Sequence, residues 1–140
     1  MTSWSYEDAG LPTDALRIES LTLTPDPPEP GSEVRMLIKG TVQEAVEDGA
    51  FYNLTVKLGL IKLLHKQVDL FEEIREGALS VSPDPAGGPI KTGDVELTYT
   101  LNLPRETPRA RFTLGVLAYN ANEDDLATLK FRADFTPPRP

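Results

Sequence analysis

Val95-Glu-Leu-Thr-Tyr-Thr-Leu-Asn-Leu103 decides the fold. Val95, Leu97, Tyr99, Leu101 and Leu103 alternate with Glu96, Thr98, Thr100 and Asn102. A period of two at this length is the pattern of a strand with one buried face. The same alternation recurs on either side. Downstream it places Phe112, Leu114, Val116 and Ala118 on one face, then Leu129, Phe131, Ala133 and Phe135. Upstream it places Val34, Met36 and Ile38, then Tyr52, Leu54, Val56 and Leu58. Leu16–Leu23 is a further strand whose phase slips at Ser20–Leu21, which predicts a bulge. Prolines cluster at 25–30, 83–89, 104–108 and 137–140, and none lies between Gly31 and Ser82. Proline donates no backbone hydrogen bond and is excluded from central strands, so the clusters are connections. Six or seven strands with Pro/Gly turns predict an all-β sandwich of two antiparallel sheets. Leu60–Ile74 is ambiguous, because Ile61, Leu64, Val68 and Phe71 fall near helical spacing.

The chain has 140 residues, 14 Lys+Arg against 22 Asp+Glu, one His and no Cys. That length predicts one domain over residues 1–140 with a core that needs no staples, residues 1–8 and 136–140 being flexible. The net charge of −8 opposes nonspecific binding to nucleic acid and broad docking on anionic membranes. Without Cys there is no thiol catalysis, Fe–S cluster or zinc knuckle. His65 alone provides no multi-His metal site. No apolar run approaches the roughly 18 residues of a membrane span. Met1–Gly10 carries neither a basic nor an apolar region of the signal-peptide kind, so a cytoplasmic location is expected.

Several turn motifs follow one another in a specific order. They are Leu16-Arg-Ile-Glu-Ser-Leu21, Pro25-Asp-Pro-Pro-Glu-Pro-Gly31, Glu47-Asp-Gly-Ala-Phe-Tyr52 and Val56-Lys-Leu-Gly-Leu-Ile-Lys62. Then come Val68-Asp-Leu-Phe-Glu72, Gly88-Pro-Ile-Lys-Thr-Gly93, Leu103-Pro-Arg-Glu-Thr-Pro108 and Ala110-Arg-Phe-Thr113. From about Trp4 to Phe135 the chain resembles the ML lipid-recognition domain family. It is similar to the branch of fungal phosphatidylglycerol/phosphatidylinositol transfer proteins, relatives of the Niemann–Pick type C sterol carriers. The resemblance implies an immunoglobulin-like β-sandwich whose sheets splay apart around an apolar cavity, and it resolves Leu60–Leu64 as strand. Secreted relatives carry disulfides. The matching positions here hold Ala9, Phe71, Gly88 and Thr128, with Ala9 expected opposite Thr128 and Phe71 opposite Gly88. Lost cysteines and the missing signal agree on a reducing compartment. A secreted or vacuolar-lumen location is the alternative if the chain is a trimmed piece.

The inward-facing set is almost free of polar atoms, and the resemblance implies that it lines a lipid site. On the strands before residue 60 it comprises Met36, Ile38, Leu54, Val56 and Leu58. On the later strands it comprises Leu97, Tyr99, Leu101, Phe112, Leu114, Val116, Phe131 and Phe135. The same residues would equally make an ordinary packed core. From Gly49 to Val68 there is no acidic residue, while Lys57, Lys62, His65 and Lys66 lie within ten positions. This local cationic group is a candidate rim for a phospholipid headgroup or membrane surface. Lysines that protect an exposed strand edge from pairing would look the same. Asn53-Leu54-Thr55 fits a glycosylation sequon but falls inside a strand. Asn120–Asp125 reads as a hairpin turn. Glu72 and Glu73, read on a strand, point to opposite sides. The expected function is non-enzymatic binding and intermembrane transfer of a phospholipid, sterol or fatty acid. It needs no cofactor and no metal, makes transient membrane contact, and engages no nucleic acid. The chain is expected to act as a monomer. The alternative is an adhesion or partner-binding sandwich with a filled core.

Overall fold

The alternating runs pair into two antiparallel sheets. The computed structural model describes residues 3–26, 28–83, 85 and 87–136. Its elements in chain order are β1 (Ser3–Asp8), β2 (Leu16–Thr24), β3 (Glu33–Val42), β4 (Phe51–Leu58), β5 (Ile61–Asp69), α1 (Leu70–Glu76), β6 (Leu79–Ser82), β7 (Gly93–Asn102), β8 (Arg111–Tyr119) and β9 (Asp125–Asp134). One sheet has the order β1-β9-β8-β4-β5 and the other β2-β3-β7-β6. The β2–β3 register shifts between Ile18 and Ser20, which places the expected bulge at Glu19.

The sequence left three things short or wrong. The strands exceed six or seven because β1 and β6 carry little pattern. Ser3–Asp8, expected to be loose, pairs with β9 from Ser3↔Asp134 to Asp8↔Leu129. Edge pairing supplies backbone bonds without needing apolar side chains, and all but Trp4 of this strand is exposed. The ambiguous stretch is both structures in turn, strand through Asp69 and helix after it. Asp69 ends β5 by capping α1, its carboxylate accepting from the Glu72 amide at 3.1 Å. Gly77, at φ 87°, closes the helix in the left-handed region. Glu72 and Glu73 therefore sit in a helical first turn, where carboxylates suit the dipole, and do not alternate across a strand. Residues 137–140, most of the tail expected to be flexible, lie outside the described residues.

Packing divides the sandwich. At one end Ala15, Val42, Val46, Phe71, Val95 and Leu126 belong to a cluster of buried side chains beneath α1. A smaller cluster, Leu21, Ile38 and Leu129, closes the side where β1 and β9 face β2 and β3. β6 adds Leu79 and Val81 to the larger cluster, and the stretch toward the β4–β5 hairpin and the β5 edge belongs to neither.

Candidate functional site

Residues directly opposite in antiparallel strands share a face, so the register identifies the inner walls. On the first sheet, Leu54 lies between Lys66 and Val116, Val56 between Leu64 and Leu114, and Leu58 between Ile61 and Phe112. Leu114 and Val116 continue to Phe131 and Leu129 on β9. On the second sheet, Met36, Ile38 and Val34 face the same way as Tyr99, Leu97 and Leu101.

Burial separates this set. Ile38 and Phe135 are buried, and the Phe135 ring meets Phe112 edge-on at 5.9 Å. Met36, Leu97, Val116 and Phe131 flank the smaller cluster. Leu54, Val56, Leu58 and Leu114 are half-buried and flank neither cluster. Leu101 is 46% exposed at the far end of β7. Among the described residues the large side chains Phe71, at 3% exposure, and Leu126, at 4%, belong to the larger cluster and not to this wall. The chain exposes 8636 Å² of surface, against roughly 7,200 Å² for a compact monomer of its mass. The wall is apolar and continuous from β5 to β9, and its β4 part is half-buried outside both packed clusters.

The exposed end of the wall lies at the β4–β5 hairpin. Gly59, at φ 59°, supplies the left-handed residue that the tight hairpin turn requires. Beside it Leu60 is fully exposed, and Ile61, Leu63 and Leu64 are 63%, 51% and 41% exposed. On the other sheet β6 covers only Glu96 to Tyr99 of β7, which leaves the Leu101 end of that edge without a strand partner.

The register splits the cationic group. Lys66 sits opposite Leu54, on the inner face at the sheet edge. Lys57 and Lys62 oppose each other, and His65 opposes Thr55, all on the outer face. A bulge between Val56 and Lys57 sets this phase. His65 Nδ1 pairs with Thr55 Oγ1 at 2.8 Å.

Besides Lys66, a polar cluster interrupts the inner walls; the sequence reading places Tyr99 only as a lining residue and does not join it to Tyr52 and Glu73. Tyr52 of β4 donates from its hydroxyl to Glu73 Oε1 of α1 at 2.6 Å. Tyr99 of β7 lies close enough to the same two groups for its phenol to feel them electrostatically. The cluster brings residues of both sheets to the helix. Burial, and then the neighbouring Glu73, push both phenols above the ordinary tyrosine value. Among the described residues no cluster of metal-ligating side chains exists. No helix there is long and apolar enough to cross a membrane.

A two-sheet sandwich, packed at one end and carrying a half-buried apolar wall at the other, defines the class of protein. The ML-domain family profile matches residues 4–135, and the chain belongs to that family. The phosphatidylglycerol/phosphatidylinositol transfer protein of Cryptococcus neoformans is 41% identical over 133 residues, covering 95% of this chain and 71% of that protein. The protein of the same description from Mycosarcoma maydis is 34% identical over 132 residues, covering 94% and 66%. The crystal structure of a Niemann–Pick type C2 protein from Japanese carpenter ant superimposes with a TM-score of 0.64 at 18% identity, covering 91% of this chain and 96% of that one. That likeness establishes the shared fold.

Proposed function

We propose that this chain holds a lipid between its sheets and carries it from one membrane to another. The observation that carries the reading is the half-buried inner wall of Leu54, Val56, Leu58 and Leu114, which no packed cluster fills. The names of the relatives point to anionic phospholipids with hydroxylated headgroups. The position of Lys66 opposite Leu54, at the sheet edge, supports a role for it in meeting a lipid phosphate as a point charge. Moving a lipid makes and breaks no covalent bond, so the reading needs no catalytic group. Apolar surface kept from water is worth roughly 25 cal/mol per Å² in the protein and about as much in the bilayer, so exchange is nearly balanced and reversible.

The exposed Leu60 and Ile61 give the open end of the wall an apolar tip that enters the interface during exchange. Lys62, His65 and Lys66 keep the exposed β5 edge from pairing with another copy, consistent with a monomer. A chain without Cys folds without disulfides, and we place its work in a reducing, cytoplasmic setting. Transfer of fluorescent phosphatidylinositol between vesicles tests the reading. Leu60→Asp with Ile61→Asp should slow transfer at least tenfold while leaving equilibrium uptake of the lipid intact. Unchanged transfer by that variant would remove the tip from the mechanism, and no uptake by the parent would end the proposal.

A further inference from the structure

The outer face of the β1-β9-β8-β4-β5 sheet carries a charge pattern that no local stretch of sequence reveals. One row across it runs Lys62, Lys57, Thr113 and Arg132. The next row runs His65, Thr55, Gly115 and Lys130. Three strand spacings separate Lys62 from Arg132, about 14 Å, and the rows lie about 7 Å apart. On β1 the rows end at Ser5 and Glu7, so four cations share this patch with one carboxylate at its β1 edge, in a chain of net charge −8. Among the described residues the ion pairs are Arg35–Glu33, Lys39–Glu96, Arg75–Asp48 and Arg111–Asp134, and none involves these four.

The pattern works against the fold. Lys57 and Lys62 stand directly opposite each other, an arrangement that destabilises a sheet. The other sheet's outer face is ordinary by comparison. There Arg17, Arg35 and Lys39 mix with Glu19, Glu33, Asp94 and Glu96, and two of those cations are paired. Threonine hydroxyls are interleaved with the cations. At Gly115, a side chain would meet nothing within 4 Å, so the middle of the patch is open and level.

We propose that this face rests on an anionic phospholipid bilayer while the chain exchanges its lipid, so that the molecule leans onto the β4–β5–β8–β9 side. The inference rests on the transfer reading and adds its orientation. Charge complementarity and continuity favour a bilayer. The Lys57–Lys62 row lies immediately behind the apolar tip Gly59–Leu60, so tip and row reach one plane together. A screening length of about 8 Å at physiological salt confines the attraction to a closely apposed surface. The overall negative charge opposes other orientations.

The test uses Lys130→Gln with Arg132→Gln, two residues on β9 away from the hairpin and from the inner wall. Partitioning is measured on vesicles of phosphatidylcholine alone and of phosphatidylcholine with phosphatidylserine. Each cation near an anionic surface contributes about fivefold, so the double variant should lose about 25-fold on the anionic vesicles and nothing on the neutral ones. Arg35→Gln with Lys39→Gln removes the same charge from the opposite face and should partition like the parent. Equal loss in both double variants would mean that net charge alone matters, and the proposal would fall. Parent-like partitioning of the β9 variant would also overturn it. Uptake of fluorescent phosphatidylinositol is measured on the same proteins. Its absence in the parent would sink the transfer reading separately, whatever the partitioning shows.

Discussion

Val56→Trp is the substitution that separates a parted sandwich from a filled one. Val56 lies between Leu64 and Leu114 in the register and is half-buried outside both packed clusters. If the space before it is open, the indole enters that space and the fold loses less than about 1 kcal/mol, below the usual range for overpacking. The matched control is Val95→Trp. Val95 is 5% exposed within the large cluster, so the same added volume should cost about 1–3 kcal/mol there. Binding should respond in the opposite order. An indole covering about 100 Å² of wall removes about 2.5 kcal/mol of lipid contact, roughly 70-fold in affinity. Urea unfolding gives the stabilities, and titration with fluorescent phosphatidylinositol gives the affinities. Equal destabilisation by the two variants would mean that Val56 is packed. A stable Val56→Trp protein with parental affinity would mean that lipid binds elsewhere.

The Tyr52–Glu73 hydrogen bond beside Tyr99 should be worth about 1–3 kcal/mol, because Glu73→Ala leaves the half-buried Tyr52 hydroxyl without its acceptor. Both phenols hold their protons more tightly folded than unfolded, so this stability is whole below pH about 10 and is lost as pH climbs through the folded-state values. Tyr52→Phe should therefore leave the tyrosinate absorbance below pH 10 unchanged, and a drop there would show that Tyr52 ionises normally. The Ala9 amide donates to the Thr128 carbonyl at 3.1 Å, one step beyond Asp8↔Leu129. Cα atoms so opposed lie within the about 4.4–6.8 Å that a disulfide spans, so Ala9→Cys with Thr128→Cys should crosslink under mild oxidant. Failure to crosslink on a non-reducing gel would refute the register of β1.

The strands legible in the sequence were those with one face against a packed cluster or the inner wall. β3, β7, β8 and β9 alternate because one side is apolar and the other meets water. β1 was illegible for the opposite reason, since its pairing rests on backbone bonds and its side chains stay exposed. β5 was ambiguous because its bulge breaks the period and its apolar residues at the exposed end occupy both faces. The inner wall followed from alternation, but packed and open stretches of it have the same composition. Ile38 and Val56 read alike, and only packing separates them. The sequence also grouped Lys57, Lys62, His65 and Lys66 by proximity. Strand parity sends Lys66 inward and joins the others to Lys130 and Arg132, more than sixty positions away. Tyr52, Glu73 and Tyr99 meet only because α1 bridges the sheet edges, a contact that no linear spacing encodes.

The central claim is that a lipid occupies the space between the sheets. Native mass spectrometry of the chain purified without detergent tests it most directly, with the Val56→Trp protein prepared in parallel. The account predicts phospholipid adducts at one per chain on the parent and their loss on the variant. Bare protein in both preparations, still bare after incubation with phosphatidylinositol vesicles, would contradict it, as would equal adducts on both.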